Sequence, residues 1–70
     1  MAIRILLREV AKEKGLSQSK LMKKADVDIR TIQRIYRDPY TNITLETLDK
    51  LAAALSCDAC DLIVTEKQPH

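Results

Sequence analysis

Residues 17–37, SQSKLMKKADVDIRTIQRIYR, decide the fold. Apolar side chains recur at Leu21, Met22 and Ala25, then at Ile29, Ile32, Ile35 and Tyr36. Steps of three and four are the spacing of helices with one buried face. Between the two runs, Asp26 to Asp28 predict a tight turn. Asp tolerates the left-handed backbone that a corner needs, Val27 plugs the gap between the helices, and Asp28 can cap the next helix. That helix, 29–37, keeps Ile29, Arg30, Gln33, Arg34 and Arg37 on its open side, with Thr31 beside them. Two short helices at a steep angle, the second lined with arginine and amide groups, suit a DNA major groove. Arg can bond both acceptors of a guanine edge, Gln can do the same for adenine, and Ile29 could touch a thymine methyl. A plain solvated helix face would carry similar residues, so the face does not argue alone.

Upstream, Ser17 predicts the N-cap of the first of these helices, with Gln18 and Ser19 in its first turn. Free amides and the positive end of the helix dipole make a seat for phosphate there, and Lys20 and Lys23 add charge. Gly15, the only glycine, followed by Leu16, predicts the stop of an earlier helix. Ile3, Leu6, Leu7 and Val10 place that amphipathic helix at roughly 3–14. Downstream, 38–44 is a loop that begins at Asp38-Pro39. Its Tyr40, Thr41 and Asn42 could touch backbone phosphates, or equally serve the turn itself. Thr44 predicts the cap of a fourth helix, roughly 45–55, with Leu45, Leu48, Leu51, Ala52 and Leu55 as its buried stripe. Ser56-Cys57 break it, Asp58 caps a short fifth helix over 59–63, and the apolar run 62–65 closes the core, with some of it free to pair with a second subunit. The expected organisation is one domain over 1–65 with a frayed tail over 66–70.

The composition is 46% apolar and 31% charged, which is globular rather than disordered. Neither Phe nor Trp is present, so the core is aliphatic, and a core this small supplies roughly 3–5 kcal/mol. A partner subunit would help. The net charge of +2 is segregated: residues 1–37 hold ten basic and four acidic side chains, net +6, and residues 38–70 hold two and six, net −4. A basic half beside an acidic one points to an anionic partner on one face, although an unevenly charged solvated surface gives the same arithmetic. No apolar run approaches a membrane span and no export signal is legible, so a cytoplasmic, reducing setting is expected.

Catalytic chemistry finds little support. Cys57 and Cys60 form a C-x-x-C, but the chain offers no second cysteine pair and a single terminal His70, so a zinc site lacks ligands. No strand pattern suggests a redox fold, and two structural cysteines are the simpler reading. There is no Ser-His-acid set and no glycine-rich nucleotide loop. Neither an enzyme nor a cofactor or metal site is expected.

The run GLSQSKLMKKADVDIRTIQRI, followed by LETLDKLAAALSCDACDLI, closely resembles the lambda-repressor-like, Cro-type helix-turn-helix family of prokaryotic and phage regulators. The resemblance spans about Ile3 to Ile63. It implies an all-α fold of five helices that binds double-stranded DNA, usually as a symmetric homodimer. It places Gln18 at the family glutamine that braces backbone and base contacts. Asp28, Ile29, Arg30 and Arg34 fall at base-reading positions; Ser17, Thr31 and Arg37 fall where phosphates are met or readers supported. Met22 stands where the family often has Ala, and Asp26 replaces the corner glycine. Ala11 and Tyr36 replace an ion pair between the first and third helices. The same fold could instead serve a protein partner, as in the DNA-binding half of a toxin–antitoxin pair. Single-stranded RNA is a weaker third reading, because no sheet-borne aromatic platform is present.

Overall fold

Four α-helices and a two-stranded sheet make up residues 2–66, the part of the chain described by this computed structural model. Strand β1 (Ala2–Ile5) leads into α1 (Leu7–Glu13), α2 (Gln18–Ala25), α3 (Ile29–Arg37) and α4 (Leu45–Ala54). A single 3-10 turn, Ala59–Asp61, precedes β2 (Ile63–Glu66). The strands pair antiparallel, Ala2 opposite Glu66, Ile3 opposite Thr65, Arg4 opposite Val64 and Ile5 opposite Ile63.

The all-α, five-helix expectation is therefore corrected at both ends. Residues 2–5, read as the start of a helix over 3–14, form a strand instead. Ile3 and Ile5 alternate with Arg4, a period of two that the longer helical repeat from Ile3 masks. The β-branched run Ile63-Val64-Thr65 supplies the partner that settles it. The same pairing reduces the fifth helix to one turn and takes Glu66 into the sheet. The tail over 67–70 lies outside the described residues.

Where the chain turns, the local signals hold. Gly15 has φ +71, with its N–H bonded to Lys12 C=O (3.1 Å) and that of Leu16 to Ala11 C=O (2.9 Å), which closes α1. Ser17 Oγ accepts from Lys20 N–H at 3.2 Å and Thr44 Oγ1 accepts from Thr47 N–H at 3.1 Å, capping α2 and α4. Asp26 takes the left-handed corner at φ 54, ψ 47.

Leu7, Leu21, Ile32, Ile35, Leu51, Leu55 and Leu62 are fully buried, each worth on the order of 1.5–3 kcal/mol by leaving water. They draw α1, α2, α3, α4 and the chain entering β2 onto one aliphatic centre. No charged or polar residue is buried there among the described residues. Leu45 departs from the expected stripe: it is the first residue of α4 and 83% exposed. Ala54 is buried in addition.

Candidate nucleic-acid interface

Helix α3 is held by its inner face and its two ends. Ile32 and Ile35 anchor it in the core, and Val27, in the turn before it, is buried beside Ala25. Asp28 Oδ1 accepts from Arg30 N–H at 2.8 Å, which fixes the first turn. At the far end Asp38 Oδ1 accepts from Tyr40 N–H at 3.1 Å, so this carboxylate also closes a turn. Tyr36, half-buried, lies near Arg8 and Glu9 of α1, and burial holds its phenol above the ordinary value.

The outer face is thereby left to its cations. Asp28, Arg30, Thr31, Arg34, Arg37 and Asp38 line one shallow depression of about 440 Å³. Arg30, Gln33, Arg34 and Arg37 are exposed, while Ile29 and Thr31 are half-buried. Among the described residues no carboxylate oxygen lies within 4.0 Å of these guanidinium groups. The two acids in the depression are engaged with backbone amides at the helix ends rather than with the arginines. Exposed, unpaired guanidinium groups on one helix face are open to phosphate or to base edges.

Helix α2 packs against α3 and brings Ser17, Ser19, Lys20 and Lys23 to the surface, with Gln18 half-buried. The Ser17 hydroxyl acts as the cap, as its position predicted. Lys20 and Lys23 also have no acidic partner among the described residues.

The loop after α3 opens onto a different depression. Tyr40, Thr41 and Asn42 line a second, apolar depression with Ile3, Ile43 and Leu45, not the arginine-lined one. The Tyr40 hydroxyl donates to Glu66 Oε1 at 2.5 Å, which raises its pKa above the usual tyrosine value. Glu66 also lies 4.0 Å from Arg4 Nη1, and Arg4 Nη2 lies 3.5 Å from Glu9. Glu66 was invisible to the sequence reading, since 26 residues separate it from Tyr40.

A family model for the Cro/C1-type HTH DNA-binding domain matches residues 6–68. The chain belongs to this family. The match takes in α1 through β2 and so includes every residue of the α2–α3 face; only β1 falls before it. The chain has no significant match among the curated proteins compared.

The other candidate chemistry stays apart from this face. Cys57 is half-buried and Cys60 exposed, both as free thiols. Burial raises the Cys57 pKa, the opposite of what a reactive thiolate needs. Asp58, Cys60 and Asp61 come close together on the surface turn, but Asp61 Oδ2 already accepts from Asp58 N–H at 3.2 Å. No helix among the described residues is long and apolar enough to cross a membrane.

Proposed function

We propose that this protein is a sequence-specific regulator of transcription, a repressor in kind, that inserts α3 into the major groove of duplex DNA as a symmetric homodimer. The observation that carries the reading is the outer face of α3, where Arg30, Arg34 and Arg37 stand exposed and unpaired among the described residues while Asp28 and Asp38 are engaged by backbone amides. In this reading Arg30 and Arg34 meet base edges, with Ile29, Gln33 and Asp28 at their flanks. Asp28 sits where it can accept from a cytosine amine, and it repels phosphate. Ser17, Gln18, Ser19, Lys20, Lys23, Thr31 and Arg37 hold the backbone. Asn42 and Thr41 follow at the margin, and Tyr40, already bonded to Glu66, contributes least.

Selection of bound duplexes from a random DNA library tests this. Inverted half-sites about 10 bp apart are the expected enrichment. No enrichment, with binding that fades steeply in salt, would reduce the face to non-specific attraction. The apolar depression beside Ile3 and Leu45, 57% and 83% exposed, would then favour a protein-docking module. Co-purification of a second protein would be its sign.

A further inference from the structure

Helix α3 carries its arginines in one line. At about 3.6 residues per turn, Arg30, Arg34 and Arg37 fall within an arc of about 60° and form a ridge about 10 Å long, opposite the buried Ile32 and Ile35. A carboxylate stands at each end of this ridge in the same depression: Asp28 caps the helix and Asp38 follows its last residue. Each accepts one backbone N–H, from Arg30 at 2.8 Å and from Tyr40 at 3.1 Å. One such bond fixes a carboxylate without removing its charge. Neither comes within 4.0 Å of a guanidinium among the described residues, so the arginines are not neutralised by contact.

Helix α2 is built the other way. Its cap is the neutral Ser17, its first turn holds no acid, and Lys20 and Lys23 stand exposed along it. A phosphate at α2 meets attraction from open amides, the helix dipole and two ammonium groups. At α3 the same phosphate meets the charge of Asp28 at the positive end of the dipole and that of Asp38 beyond the other end. A ridge of donors between two carboxylates suits a group that accepts hydrogen bonds without carrying charge. In the major groove that group is the guanine edge, with its N7 and O6.

We propose that Asp28 and Asp38 are specificity-determining residues, which weaken the hold of phosphate along the ridge and so leave Arg30 and Arg34 to guanine. This rests on the duplex-binding reading above and adds the composition of the half-site. Arg30 and Arg34 lie about one helical turn apart, about 6 Å along the axis, against a rise of about 3.4 Å per base pair. The half-site therefore carries two guanines within two base-pair steps of each other. Arg37, next to Asp38 in the chain, keeps its backbone contact at reduced strength. Duplex of the wrong sequence gains little from this face and is held by α2 instead.

Two parallel selections with the full chain test this, from random duplex libraries made with guanine and with deazaguanine, in which carbon replaces N7 and pairing is kept. Half-sites with two close guanines are expected from the first library, and loss of that enrichment from the second. Asp28→Asn and Asp38→Asn each keep an oxygen that can accept the backbone amide, so their melting temperatures should match the wild type. Each should bind a polyphosphate chain, which offers charge and no base edge, about threefold more tightly at low salt, with the gain shrinking as salt rises. For Asp38→Asn the margin of the enriched duplex over an unrelated one should narrow, which a merely structural role would not produce. Enrichment that survives deazaguanine, or half-sites without two close guanines, overturns the proposal and leaves duplex recognition standing. Polyphosphate affinity unchanged in either asparagine variant overturns it as well. No enrichment from either library overturns the duplex reading and this proposal together.

Discussion

Arg4 and Arg34 carry the same group into opposite circumstances. Arg4, on β1, is held between Glu9 and Glu66, and its Nε is buried without a partner among the described residues. Arg34, on α3, is exposed and meets no acid among the described residues, although Asp28 and Asp38 line the same depression. What separates them is the use of the nearby carboxylates. Those beside Arg4 face its guanidinium, and those beside Arg34 are turned to backbone amides. A cation engaged inside the chain supports the fold, whereas one left open offers itself to a ligand.

The strongest way to break this contrast lies behind Arg34, on the inner face of its helix. Ile32 is fully buried, and Ile32→Ala should lower unfolding free energy by about 2–5 kcal/mol in urea titration. Retained stability would mean that α3 is not held by its core face. Next comes Arg34→Ala, expected to weaken binding of the selected duplex by about 1–3 kcal/mol and relax one base position. Its melting temperature should barely move. Arg4→Met should do the reverse, costing at most about 0.2–1 kcal/mol of stability because both ion pairs are partly exposed, with base preference intact. If Arg4→Met changed base preference, the division between the two arginines would collapse.

The smallest effect concerns the two tyrosines. Both phenols titrate above the ordinary value of 10.0, Tyr40 chiefly through its bond to Glu66 and Tyr36 chiefly through burial. A raised folded-state value means that the neutral phenol is favoured in the native state. The contribution is present below the unfolded value and is lost as pH rises through the folded one. Ring resonances followed by NMR into alkaline solution should show Glu66→Gln lowering the Tyr40 midpoint while leaving that of Tyr36 in place.

The helix-turn-helix was legible because its signals are local. Ser17, Asp28 and Thr44 cap the next few residues, Asp26 turns its own backbone, and Gly15 stops the helix before it. Ile32, Ile35 and Leu51 were readable as core from their spacing. The sheet was not readable in this way. Ile3 satisfies a helical repeat with Leu6, Leu7 and Val10, and what overrides it lies at the opposite end of the chain. Leu45 fits the stripe of α4, yet periodicity does not record where the core ends. The outward face of α3 was legible as a set of residues, and Asp28 as its cap, but the turn that Asp38 closes on Tyr40 N–H had no signal in the spacing.

The pairing of β1 with β2 also sets a timetable. Helices α1 to α4 can find one another as they are synthesised, but β1 has no strand to join until residues 63–66 have left the ribosome. Joining residue 2 to residue 66 closes a loop around the whole domain, the contact with the largest entropic cost of closure. Ile5 and Leu62, both buried beside that seam, are parts of the core whose sealing waits on its closure. A nascent chain thus displays its arginine-bearing helix before the domain that steadies it is complete.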